Sequence, residues 1–272
     1  MEKKERCIIV GCVKNCGRFI NNVFSNIEII QKQFAHTKVI VAYDTSNDNT
    51  LYALNQLQNK FDLTILINKG GRSPTRTVNI ERARNVLLKL IYEKYRDFDY
   101  FIMMDLDNVC SKPININVLT DGLKDKESWD ALFFNNERYY DLWALSFDNF
   151  QYSCFHNTNS KQLMKIMLTE LLQKFNTKDK YISCNSAFGG FGIYKISKFI
   201  NCQYKATFDI ADQHLFDLNS IRNVKTLYNI NYHNEKSIND CEHRYFHLIA
   251  KHRNNARLKI SRRHLFPKIH SH

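Results

Sequence analysis

Phe98-Asp-Tyr-Phe-Ile-Met-Met-Asp105-Leu-Asp107-Asn-Val-Cys110 decides how the rest of the chain is read. Six of the seven residues from Phe98 to Met104 are apolar, the pattern of a strand covered on both faces, as in a parallel sheet between helices. Two carboxylates stand at its far end. Strand residues two apart point the same way, so Asp105 and Asp107 can converge on one hard cation. Carboxylate oxygens are the ligands that Mg²⁺ and Mn²⁺ prefer. Asp-Leu-Asp-Asn is also ordinary turn chemistry, and spacing alone leaves the two readings level.

The residues upstream shift that balance. Cys7 to Val13 reads as a strand, and Ile20, Val23, Phe24, Ile27, Ile30 and Phe34 recur at helical intervals after it. Lys38 to Tyr43 is a second strand, followed by Asp44-Thr-Ser-Asn-Asp48-Asn-Thr50 and a helix carrying Leu51, Leu54 and Leu57. Asp, Asn, Ser and Thr make turns and cap helices. Leu63 to Ile67 gives a third strand, a loop with Gly70-Gly71 follows, and a helix over Arg82 to Tyr95 leads into the strand at Phe98. Three strand and helix pairs before residue 100 predict an α/β fold with a mainly parallel sheet. Such sheets bind ligands beyond the carboxyl ends of their strands, where Asp44, Asp48, Asp105 and Asp107 all fall. Two acidic loops at one sheet edge predict a ligand site there.

The second half is less regular. Trp129 to Asn135 reads as a strand, Tyr139 to Asn149 as an aromatic loop, and Leu163 to Phe175 as a helix. Trp129, Trp143, Tyr139 and Tyr140 suit either stacking on a sugar or packing in the core. Three of the chain's 8 glycines, Gly189, Gly190 and Gly192, crowd into four positions. They allow either close backbone approach to a ligand or a strand bulge. With three prolines and no repeat or low-complexity segment, the halves are expected to form one domain.

Composition bounds the rest. A chain of 272 residues with 44% hydrophobic content has ample core for a globular domain. No segment approaches the ~20 apolar residues of a membrane span, and residues 1–6 run directly into the first strand, so neither leader nor membrane anchor is expected. Eight cysteines without a Cys-x-x-Cys pair predict free thiols in a reducing, cytoplasmic setting. The net charge of +12 calls for an anionic partner. Its arginines and lysines gather around Arg72 to Arg84 and in a basic stretch from Lys251 to Lys268, which also fits a solvated tail.

In order, the two strands, the loop Asp44 to Thr50, Ala83-Arg84-Asn85 on a helix, and Asp105-Leu-Asp107 resemble the GT-A class of nucleotide-sugar glycosyltransferases. Phe188-Gly-Gly-Phe-Gly-Ile-Tyr194 and Cys241-Glu242-His243 resemble later segments of such enzymes, particularly those of large DNA viruses and the fungal capsule mannosyltransferase group. Thr45 departs from the acidic residue or glycine found there in many relatives. The resemblance implies a single GT-A (Rossmann-like) domain over 1–272, with a mixed, mainly parallel sheet flanked by helices. Residues 7–112 would be the nucleotide-sugar-binding half, and 113–272 the acceptor-binding and catalytic half ending in a basic tail. It implies a Mn²⁺- or Mg²⁺-dependent, inverting hexosyltransferase acting on a glycan or glycoprotein acceptor. Asp44 and Asp48 would hold the nucleoside, and Arg84, Asp105, Gly189 and Gly190 would also touch the UDP- or GDP-linked donor. Asp105 and Asp107 would bind the metal, with His243 completing its shell or simply packing in the core. Glu242 is the expected catalytic base, and Asp212 competes with it or begins a helix. Two other readings are weighed. A Mg²⁺-dependent nucleotidyltransferase would need a better glycine-rich loop than Gly11 to Gly17. A non-enzymatic nucleic-acid binder would use the basic C-terminal stretch, but nucleic acid is not the expected partner, because the acidic loops would repel it.

Overall fold

The computed structural model describes residues 4–135, 141–148, 160–209 and 237–266. The elements run β1 (Arg6–Val13), α1 (Gly17–Gln31), β2 (His36–Tyr43), α2 (Thr50–Leu57), β3 (Leu63–Ile67), α3 (Arg76–Lys94) and β4 (Tyr100–Met104). Then come α4 (Ile116–Lys124), β5 (Ala131–Asn135), α5 (Ser160–Phe175), β6 (Tyr181–Ser183), β7 (Phe191–Lys195), α6 (Ile196–Phe199), β8 (Thr207–Asp209), β9 (Ser237–Asn239), α7 (Glu242–Asn254) and β10 (Leu258–His264).

Consecutive residues along β1 and β4 enter opposite cores, which is why both strands read as unbroken apolar runs. Ile8, Val10, Phe101 and Met103 pack with Leu87 and Ile91 of α3 and Phe246 and Ile249 of α7. Cys7, Ile9, Ile102 and Met104 pack on the other face with α1, α2 and α4 through Ile20, Phe24, Leu54 and Leu119. The sheet between these layers has eight strands in the order β3-β2-β1-β4-β7-β5-β10-β6. β3, β2, β1 and β4 are all parallel. β7 is antiparallel to both β4 and β5, β10 is parallel to β5, and β6 closes the edge antiparallel to β10. The sheet is therefore mixed and mainly parallel.

The chain winds outward from β1 to β3 and then returns to place β4 on the other side of β1. That reversal opens a crevice beyond the carboxyl ends of β1 and β4. α3 starts at Arg76 rather than at Arg82, because Asn79 reaches back to cap its first turn. The Asn79 Nδ2 donates to Ser73 O at 2.7 Å and Thr75 O at 3.1 Å, and its Oδ1 accepts from Ser73 N–H at 2.8 Å. The earlier start carries Arg76 and Thr77 to the crevice.

The stretch read as a basic tail is not one as far as Phe266. Lys251, His252 and Arg253 form the last turn of α7, and Leu258 to His264 is a strand inside the sheet. Its cations are engaged. Arg257 donates from Nε to Asp130 Oδ2 at 2.9 Å, Arg263 pairs with Asp121 at 2.6 Å, and Arg262 reaches Thr177 O. Trp129 is core, fully buried with its Nε1 donating to Gly122 O at 2.9 Å. The seven described cysteines are all free, and no described helix is long and apolar enough to cross a membrane.

Candidate active site

One cavity of about 700 Å³ lies at the crevice between β1 and β4. Its lining brings together residues far apart in sequence: Lys14 after β1, Asp44 after β2, Arg72 and Arg76 before and at the start of α3, Arg84 within α3, Asp105 and Asp107 after β4, and Glu242 and His243 at the start of α7. Asp141, Trp143 and Phe188 complete the wall on the side of the second half.

Arg84 is the centre of this arrangement. Only 5% exposed, its guanidinium donates from one NH₂ group to Glu242 Oε1 and meets His243 Nε2, and from the other to Asp105 Oδ1 at 3.3 Å. Its planar face lies over the Phe188 ring at 4.8 Å. Burial alone would depress this cation, but Glu242 and then Asp105 more than offset it and hold the guanidinium charged.

His243 answers that cation. Burial, then Arg84 and His247, hold its imidazole well below the usual histidine range, so it is neutral and offers the Nε2 lone pair to Arg84. The ring is stacked on Phe188 at 3.8 Å. With Nε2 facing Arg84 and its ring on Phe188, His243 sits as a packed histidine beside the aspartates, one of the two placements weighed from sequence. Among the described residues no three His, Cys, Asp or Glu side chains converge on one point.

Asp105 and Asp107 are the oxygen donors that fit a divalent cation. Asp105 is anchored by its N–H donating to Gly190 O at 2.8 Å, and Asp107 by accepting the Val109 N–H at 2.9 Å. Burial raises the Asp107 carboxyl above its ordinary range, although Val109, Arg76 and Arg84 pull the other way. Two carboxylates suit Mg²⁺ or Mn²⁺, which take one or two protein carboxylates and fill the remaining positions with phosphate and water oxygens.

The other expected residues divide. Asp44 is at the cavity, paired with Lys14 at 3.4 Å and Arg72 at 3.2 Å. Asp48 is not. Its carboxylate accepts Gly17 N–H at 2.9 Å and Thr50 N–H at 3.0 Å, stapling the loop after β2 to the start of α1, and the Thr50 hydroxyl first, then these backbone bonds, lower its pKa. Gly189 and Gly190 do not line the cavity either. They form the turn into β7 with φ of 66° and 86°, a backbone that glycine adopts freely, and the turn supplies the carbonyl that anchors Asp105. Asp212, Tyr139 and Tyr140 lie outside the described residues.

Asp141 is the residue that sequence reasoning missed. It precedes a turn, accepting the Ala144 N–H at 3.3 Å. Burial, and then the neighbouring Glu242 charge, push its carboxyl up to about 6. Nothing local marks it, since it follows two tyrosines in a stretch without periodicity.

No protein-family model and no curated protein matches the sequence. Solved structures do resemble the fold. The S. aureus TarS structure aligns with a TM-score of 0.50 and 15% identity over 97% of this chain and 36% of that one. A TarS fragment, residues 1–349, gives 0.49 and 15% over 97% of this chain and 60% of the fragment. A Pyrobaculum calidifontis mannosyltransferase, PcManGT, in complex with GDP-Man and Mn²⁺, gives 0.46 and 12% over 74% of this chain and 48% of that one. The chain thus spans 60% of the length of the TarS fragment and about a third of the longer TarS chain. These likenesses concern the fold, a mixed α/β domain of the GT-A type.

Proposed function

We propose that the chain is a metal-dependent glycosyltransferase, moving a sugar from a nucleoside-diphosphate donor to a hydroxyl of a glycan or glycoconjugate acceptor with inversion at the anomeric carbon. The observation that carries this reading is the convergence of Asp44, Arg84, Asp105, Asp107 and Glu242 on one cavity at the switch point of the sheet.

A departing nucleoside diphosphate develops negative charge that must be neutralised as the glycosidic bond breaks. Mn²⁺ or Mg²⁺, held by Asp105 and Asp107, would supply part of that neutralisation as a Lewis acid. Lys14, Arg72 and Arg76 line the same cavity and complement the phosphates directly, while Asp44 is placed for the nucleoside hydroxyls. Trp143, which also lines the cavity, would offer a flat surface against which an acceptor sugar can stack. Two carboxylates that line the cavity, Glu242 and Asp141, would be the candidates to receive the acceptor's proton. A nucleic-acid interface is disfavoured because Arg257, Arg262 and Arg263 are spent on contacts within the fold.

Thermal-shift titration with UDP and GDP, with and without Mn²⁺, tests the reading. A ligand that binds only the native state raises Tm by mass action. The expected outcome is stabilisation by one nucleotide only when Mn²⁺ is present, lost in Asp107→Ala with the metal-free Tm of that variant close to wild type. Stabilisation of equal size with EDTA would refute the metal assignment.

A further inference from the structure

We propose that Asp141, rather than Glu242, is the catalytic base that takes the proton from the attacking hydroxyl; this rests on the transferase reading above. Both carboxylates line the cavity, but their surroundings suit them to different work. Glu242 is 5% exposed and committed to the Arg84 guanidinium, which also holds Asp105. Turning Glu242 away to meet an acceptor hydroxyl would break this buried ion pair. Glu242 is thereby fitted to hold Arg84 in place toward the departing diphosphate.

Among the described residues Asp141 has no ion pair of this kind. Among the described residues its hydrogen bonds come from the backbone N–H groups of Ala144, at 3.3 Å, and Gly189. The cation that acts on it, Arg84, is already paired to Glu242. Its strongest charged neighbour is the Glu242 carboxylate, so a proton arriving on Asp141 relieves repulsion between two acids instead of breaking an ion pair. A carboxyl poised near 6 is ionised at neutral pH and still basic enough to accept a proton in the transition state.

The position of Asp141 is also fixed from behind. Arg244, fully buried and paired to Asp240 at 3.0 Å, donates to Leu145 O at 3.1 Å and to Trp143 O. The helix that presents Glu242 therefore also pins the segment that presents Asp141 and Trp143. Gly189, whose N–H bonds the Asp141 carboxylate, holds it from the side of β7.

In the reaction, the acceptor oxygen bonds to the anomeric carbon as the bond from that carbon to the diphosphate oxygen breaks. The electron pair leaves with the diphosphate. The acceptor's proton passes to a carboxylate oxygen of Asp141 and from there to water.

The test uses Asp141→Asn, whose amide oxygen can still accept the Ala144 N–H. UDP-glucose, UDP-GlcNAc and GDP-mannose are each supplied with Mn²⁺, with water as acceptor and then with added azide. Azide is already an anion, so it attacks without a base. Expected are a nucleotide-induced thermal shift equal to wild type, donor hydrolysis lowered roughly 10²-fold or more, and glycosyl azide formed at a rate near wild type. Hydrolysis at the wild-type rate in Asp141→Asn would overturn the assignment, as would azide rescue of Glu242→Gln but not of Asp141→Asn. A wild-type protein that neither binds nor hydrolyses any of these donors would instead remove the transferase reading beneath the proposal.

Discussion

Replacing Arg84 by Met is the most informative single perturbation of the site. Met occupies a similar length of space beside Phe188 and Tyr204 but carries no charge. Glu242 then remains buried without its cation, while Asp105, with a side chain 27% exposed, recovers part of its solvation. Removing one partner from a buried ion pair costs about 3–5 kcal/mol. Unfolding entropy of about 2.1 cal/mol/K per residue over 272 residues comes to about 0.57 kcal/mol/K. The expected loss is therefore a Tm lower by roughly 5–9 °C. Urea denaturation followed by emission of the buried Trp129 should give the same free energy from the shift in midpoint at constant slope. The companion variant Arg84→Met/Glu242→Leu removes both charges and should be more stable than the single variant, since an apolar pair in place of a buried ion pair is often neutral or stabilising. A single variant within about 2 °C of wild type, or a double variant no more stable than the single, would refute the view that the Arg84–Glu242 pair is buried and mutually dependent.

Two further outcomes follow from the packing around the site. His247 is buried between Ser186 Oγ at 2.9 Å and Tyr194 OH at 3.1 Å, and burial, then Arg84 and Arg244, hold it well below the usual histidine range. A histidine with a depressed folded pKa binds its proton more readily when unfolded, so stability falls as pH drops below about 6.5, by up to about 1.4 kcal/mol per pH unit. The urea midpoint should decline between about pH 6.5 and 5, and His247→Gln should decline less steeply; parallel curves would contradict the neutral, buried imidazole. Gly190→Ala places a side chain at φ 86°, at a cost of about 1–2 kcal/mol. Because this turn anchors Asp105, Mn²⁺-dependent nucleotide binding should weaken by more than the loss of stability alone explains, as calorimetry with UDP or GDP would read.

The first half was legible because its signals are local. Phe101 and Met103 face one core and Ile102 and Met104 the other, so burial on both faces is written as an unbroken apolar run, and the aspartates mark where that run leaves the core. The loop after β2 was legible as polar but not residue by residue. Asp44 and Asp48 look alike in sequence, and only the meeting with the start of α1 shows that Asp48 caps backbone. The second half depends on contacts across long stretches of chain. β10 was hidden because its cations, which run past its buried Leu258 and Ile260, find partners on β5, α4 and the loop before β6. His243 read equally as a ligand or a packed histidine, and its contact with Arg84, 159 residues away, has no local signal. Asp141 gains its character from burial and then from Glu242, neither of which a local pattern can reveal.

The place of β10 in the sheet has a consequence for how the protein is made. It lies between β5 and β6, both of which leave the ribosome well before it does. Until residues 258–264 emerge, each of those earlier strands has an open edge facing the gap, and Glu242 has only just been delivered to the Arg84 that precedes it by 158 residues. The end of the cavity built from β1 to β4 can thus be organised early in synthesis, while the side that carries Glu242 and Asp141 waits for β10. In that interval the nascent chain exposes unpaired strand edges, the state in which aggregation competes with folding.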